Sequence, residues 1–142
     1  MGKVEGDAPV SDNDWETVKK GGEDAIRRWI DNQLDGKSVS VVLVGSNTAG
    51  RKWINYEIEK SWNSRKGVLG VHIHGLKDSS GNTTTKGSNP FNIFTIQNGQ
   101  KNLGNIIKCY DPPYFDSSSV YNHIRDNLEG WVEEAIRIRD SY

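Results

Sequence analysis

The apolar run Val39–Val44 limits the folds open to this chain more than any other segment. Its sequence, Val-Ser-Val-Val-Leu-Val, is nearly continuous in hydrophobicity and rich in β-branched residues, which is typical of a strand covered on both faces of a parallel sheet. Gly45 ends the run, residues 46–50 suit a turn and a helix cap, and helical spacing begins at Lys52. In open α/β sheets, ligands bind beyond the carboxyl ends of the strands. We therefore expect the residues that follow Val44 to contribute to a ligand-binding or catalytic site.

The neighbouring segments predict helices and strands in alternation. Helical periodicity runs over residues 16–34, with Asp12 or Asp14 as the cap, and again over residues 51–63. Residues 68–73 form a second apolar run and predict a second strand. Two successive strand–helix units imply a parallel, right-handed, doubly wound arrangement. We therefore predict a single α/β domain with a flavodoxin-like parallel sheet flanked by helices.

The second half of the chain is less regular. Residues 75–89 form a long polar loop, which either lines a polar ligand or is a solvated excursion, and both alternatives stay open. Residues 106–110 are a candidate for a short strand, and residues 117–119 for the cap of a last helix with a core-facing apolar stripe. Four apolar residues after the loop are expected to return to the core: Phe91, Ile93, Phe94 and Ile96.

Size and composition exclude several classes of protein. A chain of 142 residues suits one domain, which we expect over residues 14–142 after a flexible N-terminal segment, residues 1–13. The net charge of -1 favours neither nucleic acid nor an anionic membrane as a partner. The N-terminus lacks a signal-peptide pattern, and no run approaches the roughly 18 apolar residues of a membrane span. Because a single cysteine, Cys109, cannot form an internal disulfide, we expect a cytoplasmic protein.

His72 and His74 alternate along the second predicted strand and therefore point to the same face of the sheet. Such a pair can bind zinc, but no third ligand lies nearby in the sequence, and two histidines with structural or surface roles are the alternative. We assign no metal site to this chain.

Glu57 is the candidate catalytic residue in the helix that follows the first strand. Trp53 lies four residues before Glu57 and about one turn away on the same helical face. A neighbouring apolar stripe is expected to pack on the sheet and consists of Ile54, Ile58 and Trp62. Partial burial beside this stripe would place the carboxylate of Glu57 in a drier environment, which suits a catalytic residue. Alternatively, Glu57 is a solvated carboxylate paired with Lys60 or Lys52.

Four segments of the chain resemble the TIR-like proteins of bacterial Thoeris antiphage systems. They are Val-Leu-Val-Gly-Ser-Asn-Thr, Arg-Lys-Trp-Ile-Asn-Tyr-Glu-Ile, Gly-Val-Leu-Gly-Val-His-Ile and Lys-Gly-Ser-Asn-Pro-Phe, in that order. The resemblance covers roughly residues 12–94. It implies the TIR fold, which is a flavodoxin-like parallel sheet flanked by helices and agrees with the predicted elements.

The resemblance also implies an activity. Many TIR enzymes cleave the bond between nicotinamide and ribose in NAD, and Thoeris TIR-like proteins do so to make a cyclic ADP-ribose-type signal that activates a partner effector. NAD is then a substrate rather than a cofactor, and TIR enzymes often need homo-oligomers or TIR–TIR assemblies to complete their site. By its position in the motif, Glu57 matches the glutamate that those enzymes need.

Other residues near the motif are candidates for substrate binding. Trp53 is either a residue that packs the helix on the sheet or an aromatic platform for adenine or nicotinamide. Ser46, Asn47 and Thr48 either meet ribose or phosphate or form a plain capping turn. Arg51 is a candidate partner of the pyrophosphate.

The chain departs from the family pattern at its start. Family members usually begin with a central strand that forms one wall of the nucleotide site, and nothing in residues 1–15 resembles it. We therefore expect an N-terminally shortened domain with an unpaired strand edge that favours oligomerisation. The incomplete wall leaves a second hypothesis open, which is a non-catalytic TIR-like module that binds other TIR domains or a nucleotide without cleaving it.

Overall fold

Three parallel strands with helices on both faces make up the centre of the protein. The computed structural model describes residues 21–77 and 81–142. Its elements are α1 (Gly22–Gln33), β1 (Val39–Val44), α2 (Lys52–Asn63), β2 (Gly67–His72), β3 (Thr95–Ile96), β4 (Lys101–Asn102), β5 (Cys109–Tyr110) and α3 (Ser117–Asp140). The sheet order is β1-β2-β5 with all neighbours parallel, and β3 pairs with β4 as a separate antiparallel ribbon. The predicted parallel sheet flanked by helices is confirmed.

β2 is the central strand, and all six of its residues are buried. It pairs with β1 along its whole length. Two of its residues are glycines at positions where neighbouring atoms leave no room for a side chain. A Cβ on Gly67 would lie 2.8 Å from the backbone of Ala135 in α3. A Cβ on Gly70 would lie 2.9 Å from Sγ of Cys109. Helix α3 therefore lies directly against the sheet.

Two hydrophobic clusters cover the two faces of the sheet. The first is formed by α1, α3 and alternate strand residues, and it includes Ile26, Trp29, Leu43, Leu69 and Ile124. The second is formed by α2 and the segment 91–107, and it includes Val42, Ile58, Trp62, Val68 and Phe91. Because successive strand residues alternate between the two clusters, both faces of β1 and β2 are dry. This arrangement explains the nearly continuous apolar run in β1.

Arg139 ties the end of α3 to the end of α2. The residue is only 7% exposed. Its Nε and Nη2 donate hydrogen bonds to the carbonyl oxygen of Trp62 at 3.0 and 2.9 Å, and its guanidinium lies 4.3 Å from the centre of the Trp62 ring. These contacts add to the hydrogen bond that the same carbonyl accepts from the amide of Arg65 at 3.0 Å, and they place a cation over the Trp62 ring.

The strand predicted over residues 106–110 is shorter in the structure. The carbonyl of Leu103 accepts hydrogen bonds from the amides of Ile106 and Ile107 at 3.0 and 2.8 Å. Because these amides are used in a local turn, they cannot extend a ladder, and only Cys109–Tyr110 pairs with β2.

Two smaller expectations also need correction. Phe91 is fully buried, but Ile93 is 64% exposed because the chain turns there, so the expected return of Ile93 to the core is wrong. Asp116, rather than residues 117–119, caps α3, since its Oδ2 accepts a hydrogen bond from the amide of Ser119 at 2.9 Å. The expectations for residues 1–13, for the cap at Asp12 or Asp14 and for the first strand lie outside the described residues.

β1 forms one edge of the sheet, and among the described elements no strand pairs with its outer side. The carbonyls of Ser38 and Val44 accept hydrogen bonds from β2 and from the residue that follows it. Because alternate residues of a strand direct their backbone groups to opposite sides, those of Val39, Val41 and Leu43 face the outer side. Several side chains of β1 are nonetheless buried, as in a strand from the interior of a sheet.

Candidate functional site

A cleft of about 350 Å³ lies beyond the carboxyl ends of β1 and β2. This is the place where open α/β sheets bind ligands, and the volume is in the range of small-molecule sites. Its floor is apolar and consists of Leu43, Ile54, Ile73 and Leu76. Its polar lining consists of Arg27, Gly45, Ser46, Asn47, Thr48, Arg51, Lys77, Asn82 and Thr84. Four of the five predicted substrate-binding residues therefore meet in one cleft, since only Trp53 is absent from the lining.

The turn between β1 and α2 is held by its own side chains. Oγ1 of Thr48 accepts a hydrogen bond from the amide of Gly45 at 2.8 Å and donates one to the carbonyl of Leu43 at 3.4 Å. Nε of Arg51 donates to the carbonyl of Asn47 at 2.8 Å. Arg51 is itself the residue at the N-terminal cap of α2, without a side-chain cap bond. Thr48 therefore shapes the turn, whereas the side chains of Ser46 and Asn47 make no such bond to any described residue.

The charge of the cleft differs from that of the whole chain. Arg27, Arg51 and Lys77 line the cleft, and among residues 21–77 and 81–142 no carboxylate does, although the whole chain has 18 basic and 19 acidic residues. Within the described part of the chain, none of the three cations takes part in a salt bridge with a carboxylate. The cleft is therefore suited to an anionic ligand.

Glu57 lies in a second, adjoining groove rather than in the cleft. The groove measures about 180 Å³ and runs along the outer side of β1, between Arg27 and Asp31 of α1 and Glu57 and Ser61 of α2. Arg27 lines both cavities. The expected partial burial of Glu57 is wrong, because its side chain is exposed. The alternative pairing with a lysine is not present either, since the described residues contain no salt bridge of Glu57.

Trp53 does not pack α2 on the sheet. Its side chain is 66% exposed and stacks on Tyr56 with ring centres 6.0 Å apart. Ile58 and Trp62 perform the packing instead and are buried, as the apolar stripe predicted, so the packing role considered for Trp53 is wrong. A role of Trp53 as an aromatic platform stays a prediction, because Trp53 lines neither cavity.

The polar loop contributes to the cleft through residues 81–89, which we call the strap. The amide of Thr84 donates to the carbonyl of His74 at 3.1 Å, and Nζ of Lys86 lies 2.8 Å from Oδ2 of Asp111. Gly87 touches the backbone of Gly45, where an added Cβ would lie 2.0 Å from the carbonyl oxygen. The strap thus crosses the ends of all three strands of the sheet. Both alternatives hold in part, since Asn82 and Thr84 line the cleft while most side chains of the strap are exposed to solvent.

Arg27 was not predicted from the sequence, and Lys77, Asn82 and Thr84 were covered only by the alternative in which the loop of residues 75–89 lines a polar ligand. A signal existed for Lys77, because it follows β2 at the same sheet edge as the predicted loop. No signal existed for Arg27, since its helix is one of several amphipathic helices and its place beside the cleft depends on packing.

His72, the last residue of β2, and His74, which follows the strand, lie together with ring centres 5.8 Å apart. His72 is 5% exposed, and its burial lowers its pKa, which Lys86 and His74 lower further while Asp111 acts in the opposite direction. Burial also raises the pKa of the Cys109 thiol to about 11, which makes it a poor nucleophile. Within residues 21–77 and 81–142, no group of three or more potential ligands is placed to hold a metal ion. The same residues include no helix with the length and hydrophobicity needed to cross a membrane.

The fold and the two adjoining cavities define a doubly wound α/β domain whose ligand site lies beyond the carboxyl ends of its strands. The family model described as "Thoeris protein ThsB, TIR-like domain" matches residues 3–78. This match covers more than half of the chain, and the chain belongs to that family.

One relative is similar over part of the chain. It comes from Bacillus cereus (strain MSX-D12), carries the name "Putative cyclic ADP-D-ribose synthase ThsB1" and is 42% identical over 83 residues. The alignment covers 58% of this chain and 43% of the relative. The chain therefore matches less than half of the length of that protein.

Proposed function

We propose that this chain is a TIR-like signalling enzyme of antiphage defence that cleaves NAD and makes a cyclic ADP-ribose-type messenger. The observation that carries the proposal is the adjacency of a carboxylate and a cation-lined cleft, with Glu57 in the groove and Arg27 shared by both cavities. Family membership and the name of the relative support the choice of substrate and product.

Glu57 has the chemistry that this reaction requires. The bond between C1′ of the ribose and the nicotinamide nitrogen breaks, and its electron pair leaves with nicotinamide, which becomes neutral and needs no general acid. The sugar is left with oxocarbenium character, and a carboxylate held beside it stabilises the developing positive charge. A nucleophile from the adenine end of the same molecule then closes the ring with loss of a proton, whereas attack by water gives linear ADP-ribose.

Substrate binding is assigned to the residues that line the cleft. We propose that Ser46, Asn47 and Thr48 meet ribose or phosphate and that Arg51 meets the pyrophosphate. Trp53 lies one turn before Glu57 on the exposed face of α2, and we propose that it contacts a ring of the substrate. The protein would act in the cytoplasm, as an assembly of several copies, and its messenger would reach a separate effector.

The test is nicotinamide release from NAD by the purified protein at several protein concentrations. We expect Glu57→Gln to lower the rate by about 10²-fold or more, which is the usual cost of removing a charge-stabilising group. Glu59→Gln is the matched control, because Glu59 is exposed on the same helix and lines neither cavity. Equal release by the parent protein and Glu57→Gln would remove Glu57 from the mechanism.

A non-catalytic nucleotide-binding module is the second candidate function. It is favoured by the exposure of Glu57, whose carboxylate is not held in a dry site in the free protein. Calorimetry with NAD and ADP-ribose, followed by chromatography of the mixtures, separates the two candidates. Binding of both nucleotides with unchanged NAD after long incubation supports the module.

A further inference from the structure

We infer that Arg27, Arg51 and Lys77 form a binding site for the diphosphate group of a dinucleotide. The inference rests on the proposed function for the identity of the dinucleotide. The requirement for an anionic group comes from the cleft itself, because the described residues place three cations and no carboxylate around its volume of about 350 Å³. In a chain with a net charge of -1, this local excess is not a consequence of overall composition.

The three cations come from separate elements that converge on one space. Arg27 is half-buried in α1, Arg51 precedes α2, and Lys77 follows β2. Two of them are held in place: Nε of Arg51 donates to Asn47 at 2.8 Å, and the amide of Lys77 donates to Oγ of Ser117 at 3.0 Å. Among its bonds to the described residues, Arg51 uses only one donor of its guanidinium, which leaves its other N–H groups for a phosphate oxygen.

The rest of the cleft suits the groups attached to a diphosphate. Hydroxyl and amide side chains line it at Ser46, Asn47, Asn82 and Thr84, and such groups hydrogen-bond sugars. Its floor is apolar, which excludes water and strengthens ion pairs with a bound phosphate. Charge-assisted hydrogen bonds from arginine to phosphate are stronger than neutral ones and are often bidentate.

Arg27 also has a positioning role in this arrangement. It lines the cleft together with the other two cations, and it lines the groove together with Glu57. A diphosphate bound at Arg27 therefore sits at the junction of the two cavities. One of its sugars would extend toward Glu57, and the other would stay in the cleft, which is the orientation that cleavage at a single ribose requires.

The experiment measures the binding of ADP-ribose, ADP and adenosine by calorimetry at fixed ionic strength. We expect Arg27→Gln and Lys77→Gln each to weaken ADP-ribose and ADP by about tenfold or more, which is typical for the loss of a charged hydrogen-bond donor. Adenosine, which has no phosphate, should bind these variants and the parent protein equally. Lys77→Arg should retain most of the affinity, because it keeps the charge.

Arg28→Gln is the matched control, since Arg28 is exposed on the same helix and lines neither cavity. The variant loses the same charge and should bind ADP-ribose like the parent protein. Melting temperatures of all variants show whether each remains folded. The inference is overturned if ADP binds the parent protein no better than adenosine does, if neither ADP nor ADP-ribose binds, or if the Arg28→Gln, Arg27→Gln and Lys77→Gln variants all lose the same affinity.

Failure of this inference is distinguishable from failure of the proposed function. Glu57→Gln should keep the affinity for ADP within about twofold, because ADP lacks the second ribose that would extend from the cation-lined cleft toward Glu57. A protein that binds ADP-ribose through its cations but leaves NAD intact contradicts only the proposed activity. A protein that cleaves NAD equally well after Arg27→Gln and Lys77→Gln contradicts only the diphosphate site.

Discussion

Glu57 is exposed in the groove beside β1, so water solvates its carboxylate in the free protein. A carboxylate in water stabilises a nearby positive charge weakly, because the high dielectric constant of the solvent screens the interaction. A ribose that fills the groove would displace this water and leave the carboxylate facing the sugar. In the proposed mechanism the substrate itself therefore completes the dry environment that Glu57 needs.

Two tryptophans on α2 are predicted to respond differently to truncation. Trp62 is 7% exposed, whereas Trp53 is 66% exposed. We expect Trp62→Ala to lower the free energy of unfolding by about 3–5 kcal/mol and Trp53→Ala to change it by no more than about 0.5 kcal/mol. Urea unfolding followed by circular dichroism measures both values. A large loss of stability in Trp53→Ala would show that this residue packs within the fold after all.

His72 should make the stability of the protein depend on pH near neutrality. Burial lowers the pKa of His72 below its ordinary value of 6.5, so the unfolded state binds a proton more readily than the folded state. The contribution of His72 is therefore complete above pH 6.5 and is lost as the pH falls through the folded-state pKa. We expect the melting temperature to fall between about pH 7.5 and 5.5.

The variant His72→Gln isolates this contribution, because glutamine does not titrate in that range. Its melting temperature should fall less than that of the parent protein over the same interval. The groups that face His72 are His74, Lys86 and Asp111. Lys86 and Asp111 keep their charges over this pH interval, because the pKa of Lys86 is raised and that of Asp111 is lowered. Parallel slopes for the parent protein and His72→Gln would contradict the prediction.

Among the elements, those with a periodic apolar pattern were predictable from the sequence. Val39–Val44 forms a strand with the predicted bounds, and α2 begins one residue after its predicted start. The irregular segment around Leu103 was not predictable, since its apolar residues suit a strand equally well. A local turn took the amides of Ile106 and Ile107, and such competition for hydrogen bonds is not visible in hydrophobic pattern alone.

The contact between β2 and α3 predicts opposite effects of two glycine substitutions. A Cβ on Gly67 would lie 2.8 Å from the backbone of Ala135, whereas a Cβ on Gly130 meets nothing within 4 Å. We expect Gly67→Ala to destabilise the protein by about 1–3 kcal/mol, because the backbone of α3 must move. Gly130→Ala, in the interior of α3, should stabilise it by about 0.5–1 kcal/mol.

Chemical unfolding of the two glycine variants beside the parent protein provides the measurement. Each variant adds the same methyl group, so the difference between them reports the space around each position. Equal midpoints for Gly67→Ala and Gly130→Ala would show that α3 is not pressed against the sheet as described.

On the scale of the whole molecule, the candidate site depends on packing between elements that are distant in the sequence. Ser46, Asn47 and Arg51 were predictable because they follow β1 directly, and the edge of a parallel sheet is a general ligand site. Arg27 reaches the cleft from α1, which precedes β1, and Thr84 reaches it from the strap, which follows β2. Their positions follow from how α1 and the strap lie over the sheet, which single-sequence patterns do not specify.

The outer side of β1 predicts how copies of the chain associate. We expect the assembly proposed above to use this edge, because β1 has the apolar character of an interior strand while its outer backbone groups pair with no described strand. Val41→Pro should lower the amount of oligomer, since it removes an outward amide and leaves the ladder with β2 unchanged.

Light scattering coupled to size-exclusion chromatography measures the association at several concentrations. Val41→Ala is the matched control, since it shortens the same side chain and keeps the amide. An oligomer that is equally abundant in the parent protein and in a folded Val41→Pro variant would place the interface elsewhere.

The central position of β2 in the sheet determines how its amide hydrogens exchange with solvent. Its six residues are buried, one neighbour pairs with its whole length, and the amide of Gly70 donates to Lys108 on the other side at 2.9 Å. In deuterated water, the amide hydrogens of residues 69–71 should therefore be among the last to exchange. Their exchange would require the loss of the entire sheet, so its rate would report global unfolding rather than fraying at an end.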